Sequence, residues 1–183
     1  MKMERMLYLM IGIIGLTLAA DFTTAAEYTW NGGGGNTNWT TTDNWGGAGY
    51  PNVSGDIAVV SAADTIALDA SVALGRIYMD SASPRTVTVV GTGAANITVG
   101  GLLVGTRGFY SGAGNRLVLQ PDIAASGRVD LKGTGTLEFQ GAVTIPGSGY
   151  LYVQHEGKTV FSGASSLSMA SGKAGIGILE TET

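Results

Sequence analysis

The chain has no cysteine, one histidine and four prolines, and charged residues make up only 13% of its 183 positions. Each shortage removes a class of chemistry. Without cysteine there are no disulfides, no thiolate metal sites, no cysteine nucleophile and no lipidated cysteine behind an export signal. A lone histidine, His155, cannot build a histidine-cluster metal site. Ten bases stand against fourteen acids, and the bases are scattered singly. Nucleic acid is therefore not an expected partner, because its binding relies on clustered Lys and Arg to displace phosphate counterions.

Glycine is what the chain has in excess, 30 residues spread along its whole length, against a usual share of about 7%. Each glycine inside a helix costs about 1 kcal/mol relative to alanine, and the many Thr and Val residues prefer strands. The composition predicts an all-β protein.

The N-terminus carries Lys2 and Arg5, then an unbroken apolar or small run from Met6 to Ala20. Such a run suits the core of a signal peptide and falls short of the about 20 residues needed to span a bilayer. Leu18-Ala19-Ala20 and Thr24-Ala25-Ala26 both offer small-residue cleavage sites, the second being favoured. Residues 1–26 are thus read as a signal peptide, with the mature chain starting at Glu27 and no membrane span left after cleavage; an uncleaved anchor is the other reading. Three N-x-[ST] sequons, at Asn38, Asn52 and Asn96, matter only in a eukaryotic secretory pathway.

Residues 27–55 form a block of their own, containing all three tryptophans (Trp30, Trp39, Trp45) together with Tyr28 and Tyr50. A free linker rarely holds so many large rings. From Asp56 to Thr183 the texture changes to short alternating runs broken by Gly, Ser or Asn. Strands are expected at Ile57–Val60, Thr65–Leu68, Arg76–Met79, Thr86–Val90, Asn96–Val99 and Leu102–Val104. Further ones are expected at Arg116–Gln120, Arg128–Leu131, Thr136–Gln140, Tyr150–Gln154 and Thr159–Ser162. The runs are very short, glycine sits at many breaks, and Asn-Gly hairpin turns are nearly absent after the aromatic block. These features favour a right-handed parallel β-solenoid of about 20 residues per coil over its alternative, a β-sandwich. A first coil has nothing beneath it to pair with, and the Trp-rich block stands where a cap is needed.

The series Tyr28-Thr29-Trp30-Asn31-Gly32-Gly33, Asn38-Trp39-Thr40, Asp43-Asn44-Trp45, Tyr50-Pro51-Asn52 and Gly55-Asp56 resembles the opening of bacterial exported proteins with autotransporter-associated β-strand repeats. Some members of that group carry PEP-CTERM sorting signals. The run Gly133-Thr134-Gly135-Thr136-Leu137-Glu138-Phe139 is similar to their strand repeats, though only in composition. The resemblance implies a surface-displayed or secreted passenger. Such proteins end in an outer-membrane barrel or a sorting tail, which Leu179-Glu180-Thr181-Glu182-Thr183 does not resemble. A fragment of a longer protein, or a short released member, is therefore expected.

The chemistry-bearing residues weigh against an enzyme. His155 has serines and Asp130 as conceivable triad partners, but no G-x-S-x-G elbow is present and a solvated strand position beside Glu156 suits it better. Asp64, Asp69, Asp80, Asp122 and Asp130 lack the paired motif that glycoside hydrolysis asks for across a cleft, and read as solvated faces and turns. A calcium-binding repeat is missing. Gly91-Thr92-Gly93-Ala94-Ala95-Asn96 imitates a dinucleotide fingerprint without its third glycine, and a strand follows it instead of a helix. No catalytic, cofactor or metal site is expected.

The aromatic block admits two readings. Trp30, Trp39, Trp45 and Tyr50 either plug the first coil or, if open to solvent, stack on sugar rings. The expected function is a non-enzymatic exported passenger, structural or adhesive. Its alternatives are a carbohydrate-binding module using that block, or the start of a polysaccharide-degrading β-helix with catalytic coils beyond residue 183. Expected partners are extracellular polysaccharide or cell-surface components, with self-association through the solenoid ends.

Overall fold

A computed structural model describes residues 25–101, 107–146, 149–163, 165–169 and 175–178, the last four by backbone alone. Nearly all of the expected signal peptide, the expected strand Leu102–Val104 and the tail Leu179–Thr183 lie outside the described residues.

Among the described residues, seventeen strands wind into three parallel faces of a solenoid. Face 1 runs β1 (Glu27–Thr29), β2 (Ile57–Val59), β5 (Arg76–Met79), β8 (Gly108–Ser111), β11 (Val129–Gly133), β14 (Tyr150–His155) and β17 (Gly175–Ile178). Face 2 stacks β3 (Thr65–Leu68), β6 (Thr86–Gly91), β9 (Arg116–Leu119), β12 (Thr136–Phe139) and β15 (Lys158–Phe161). Face 3 stacks β4 (Val72–Leu74), β7 (Asn96–Val99), β10 (Asp122–Ala125), β13 (Val143–Ile145) and β16 (Leu167–Met169). The chain visits faces 1, 2 and 3 in order, five times from β2 to β16, and every strand pairing is parallel. Two antiparallel sheets face to face, the sandwich alternative, would need hairpins that are not present among the described residues.

Alternation in the sequence decides which side chains enter the core. In Thr86-Val87-Thr88-Val89 both valines are fully buried while the threonines point away. In-register pairing then stacks like on like. Face 1 places Ala58, Ile77, Phe109, Leu131 and Val153 in one inward column. Ile66, Val89, Leu119, Phe139 and Phe161 form another on face 2, and Val72, Ile97, Ile123, Val143 and Leu167 a third on face 3. Each Val, Ile, Leu or Phe fully buried this way contributes about 1.5–3 kcal/mol of hydrophobic stabilisation.

The coils are less regular than a 20-residue repeat. Register partners Ile57, Arg76, Gly108, Asp130 and Tyr152 on face 1 are separated by 19, 32, 22 and 22 residues. Part of the extra length lies between Met79 and Thr86 and between Gly91 and Asn96, and the three faces stay continuous. At Gly133, φ is +104° and an added Cβ would overlap the Ser111 carbonyl oxygen of the turn below. Only glycine meets both demands there.

The block 27–55 is built into the stack. β1 pairs with β2, and Asn38 makes a parallel bridge to Ala67 of β3. A single 3-10 turn, Thr42–Trp45, closes on Gly46 at φ +87°. No helix among the described residues is long and apolar enough to cross a membrane.

Candidate functional site

Three regions deserve chemical scrutiny: the aromatic layer on the first turn, a groove at the corner of faces 2 and 3, and the outward side of face 1.

Trp30, Trp39 and Trp45 are 5%, 0% and 4% exposed, so their ring faces are turned into the protein. Trp45 packs edge-to-face against both others, with centroids 5.0 Å from Trp30 and 4.8 Å from Trp39; such pairs add about 0.5–1.5 kcal/mol beyond their burial. Two of the indole N–H groups are satisfied inside. Trp39 Nε1 donates to the Pro51 carbonyl at 2.8 Å and Trp45 Nε1 to the Trp39 carbonyl at 2.6 Å. Tyr50 is half-buried and packs against the same core.

Polar side chains fix the loops around these rings. Asn44, fully buried, accepts from Gly34 N at 2.9 Å and donates to the Asn38 carbonyl at 2.9 Å. The Asp56 carboxylate gathers the amides of Ala26, Asn52 and Val53 at 3.3, 3.1 and 3.0 Å. Thus the tryptophans, Asn44, Pro51 and Asp56 build the layer together. A sugar platform needs open ring faces, and these three indoles do not offer them.

The groove has a volume of about 550 Å³ and is lined by Gly91, Asn96, Gln120, Pro121, Asp122 and Thr144 among others. The connection Thr92–Ala95 between β6 and β7 is longer than Gln120–Pro121 between β9 and β10 and Gln140–Ala142 between β12 and β13. Asp122 is the single carboxylate in its lining, and its Oδ1 accepts from Ala142 N at 2.8 Å. Gln120 and Gln140 continue a ladder of amides at 3.1 Å. The segment Gly91–Asn96, which imitates a nucleotide loop, runs from the end of β6 straight into β7.

The shielded acids hold the coils together. Glu138 on face 2 accepts from Gln140 Nε2 at 2.7 Å, from Arg116 and from Ser162 Oγ at 2.7 Å. Those bonds hold its pKa down to about 2, with Gln140 first, then Arg116 and Ser162. A carboxyl so acidic is a poor proton donor near neutrality. Asp130 is buried and bound by Arg128 Nε at 2.7 Å, away from any role beside His155. Asp69 caps Thr40 through N at 3.0 Å and Oγ1 at 2.6 Å, Asp80 accepts from the Tyr78 hydroxyl at 3.2 Å, and Asp64 is an exposed partner of Arg85. No group of three His, Cys, Asp or Glu side chains able to hold a metal occurs among the described residues.

His155 departs from the solvated position expected of it. It is half-buried, its Nδ1 lies 3.1 Å from Thr159 Oγ1, and its Nε2 is buried without a partner. Burial lowers its pKa, which favours the neutral ring.

The outward side of face 1 was not anticipated. Tyr78 and Tyr110, one rung apart, stack with centroids 4.6 Å apart and planes 13° from parallel. The Arg76 guanidinium lies 5.7 Å and 5.9 Å from those two rings. It can lean over both because Gly108, its register partner, has no side chain. Gly108 is itself required there: φ is +121°, and a Cβ would overlap the Asp130 carbonyl oxygen. One turn further on, Arg128 sits 3.8 Å over Tyr152. Burial first, then the charge of Asp80, raises the Tyr78 pKa, so its hydroxyl keeps its proton. Sequence reading could not find this face, since Arg76 and Tyr152 are joined only by register.

No protein-family model, no curated protein and no solved structure matches this chain. Fold and surfaces together define a three-faced parallel β-solenoid with an aromatic layer over its first turn.

Proposed function

We propose that this chain is an exported β-solenoid passenger with a structural or adhesive role and no catalysis of its own. The observation that carries the reading is a stack of five parallel turns whose shielded carboxylates, Asp56, Asp130 and Glu138, are engaged by structural donors. Such an architecture builds length and lateral surface. The groove, with its single carboxylate, supports no two-carboxyl hydrolytic site. Export rests on Lys2, Arg5, the run Met6–Ala20 and the small residues before Glu27.

Expression of the full chain in a Gram-negative host tests this. The expected product lies outside the cytoplasm with Glu27 as its first residue by intact-mass measurement, and releases no reducing ends from a polysaccharide panel. A chain retained in the cytoplasm with Met1 to Ala26 intact would remove the export reading, and measurable glycan cleavage would remove the non-enzymatic one.

A further inference from the structure

His155 is the single histidine of the chain, and its position on β14 belongs to the core side of face 1. The buried Leu151 and the half-buried Val153 point inward, and His155 follows them at the strand period of two. Register gives the same direction. The column through His155 runs Met79, Ser111, Gly133, His155, and Met79 and Ser111 are fully buried. Across the corner Thr159 is equally inward, being the rung partner of the buried Leu137. Two polar side chains thus enter the fifth turn where apolar ones would fit, and they meet: His155 Nδ1 lies 3.1 Å from Thr159 Oγ1.

The two ring nitrogens are unequally provided for. A neutral imidazole carries one proton. Placed on Nδ1, that proton is donated to Thr159 Oγ1, and Nε2 keeps a bare lone pair. An imidazolium carries a proton on each nitrogen, and Nε2, buried without a partner, would then hold a charged N–H with no acceptor. The described charges on the surrounding elements lie elsewhere. Lys132 on β11 and Lys158 on β15 alternate with Gly133 and Thr159, which puts both on the outer side. Asp130 on β11 and Glu138 on β12 are outward as well, engaged by Arg128 and by Arg116, Gln140 and Ser162. Glu156 is exposed in the turn between β14 and β15, and neither Leu167–Met169 nor Gly175–Ile178 contains an ionisable residue. Burial alone lowers the His155 pKa.

We infer that His155 is a proton-sensitive latch: neutral, it closes the fifth turn onto the fourth, and protonated, it loosens that turn. The fifth turn is the one on which such a cost tells. It holds to the fourth through β14 on β11, β15 on β12 and β16 on β13, with Val153, Leu167 and Met169 half-buried and Phe161 40% exposed. In a stack of nearest neighbours a penalty inside one turn falls on that turn and its interface. The sign follows from the lowered folded pKa. The latch is complete above the ordinary value of 6.5 and is lost as pH falls through the folded one. Glu138, with a pKa of about 2, keeps its charge throughout that change. The latch stands independently of the passenger reading.

The test uses the purified full-length protein free of any histidine tag, so that one imidazole gives the whole signal. Its ring protons, followed by NMR, should titrate with a midpoint below 6.5. Amide exchange in Tyr150–Phe161, corrected for the intrinsic pH dependence, should then accelerate between about pH 7.5 and about one unit below that midpoint. The factor should be about tenfold for each unit by which the midpoint lies under the ordinary value. Exchange in Trp39–Leu74 should stay level over the same range. In His155→Gln, which cannot titrate, Tyr150–Phe161 should exchange equally at both pH values, whatever the absolute rate. A midpoint at or above 6.5, exchange in Tyr150–Phe161 that ignores pH, acceleration that survives in His155→Gln, or equal acceleration in Trp39–Leu74 would overturn the inference.

Discussion

The first and fifth turns of this solenoid use the same inward columns and bury them to different degrees. In the first turn Ala58, Ile66, Leu68 and Leu74 are completely buried, because Trp30, Trp39 and Trp45 lie over them. In the fifth turn Phe161 is 40% exposed although it stacks on the buried Phe139, and Val153, Leu167 and Met169 are only half-buried. A β-turn of a solenoid is therefore only as buried as the layer above and below it, and in a nearest-neighbour stack the terminal layers decide where unfolding starts. Sealing one end with three interlocked indoles makes that end the firm one.

Mutations at the two ends and in the middle should separate accordingly. The largest effect is expected for Trp39→Ala, which opens a cavity under the Asn38 bridge and orphans the Pro51 carbonyl. A loss of about 3–5 kcal/mol in urea unfolding is predicted, and a loss below about 1 kcal/mol would mean the layer is not a seal.

In the middle of the stack, Glu138→Gln removes the anion that ties β9, β12 and the turn after β15 together, at a cost of about 1–3 kcal/mol. The same carboxylate gives a pH signature. Its folded pKa, about 2, lies below its ordinary 4.5, so its stabilisation is complete above pH 4.5 and fades as pH falls toward 2. Acid titrations of the parent and of Glu138→Gln should converge over that window; parallel curves would deny the bond its role.

The smallest effect is expected in the fifth turn. Phe161→Ala exposes a ring face of Phe139 yet removes a side chain already 40% in solvent, and about 1 kcal/mol is predicted. A loss equal to that of Trp39→Ala would erase the difference between the ends.

How much of this was legible in the sequence varies by face. Face 2 was readable throughout: Thr65–Leu68, Thr86–Gly91, Arg116–Leu119, Thr136–Phe139 and Lys158–Phe161 all fall at expected strands, because each is a run rich in apolar and β-branched residues, and Thr86–Val89 and Thr136–Phe139 alternate as well. Face 3 was nearly invisible apart from Asn96–Val99. Val72–Leu74, Asp122–Ala125, Val143–Ile145 and Leu167–Met169 are three or four residues long, with at most two inward side chains each, too few to display a period. Alanines in two of them lower strand propensity further. On face 1, Gly108–Ser111 escaped because glycine opens it. The tryptophans were legible as a group, but their burial was not, since the same residues suit a plug or a platform. The Arg-Tyr surface was beyond reach, because coils of 19 to 32 residues destroy any fixed spacing between its members.

Amide hydrogen exchange on the processed protein tests the central claim most directly. Protection should be high in peptides spanning Trp39 to Val143, whose inward residues are all buried, and low in Lys158–Met169, where they are partly exposed. Exchange around Trp39 as fast as at Phe161, or faster, would contradict a stack of parallel turns sealed at its aromatic end.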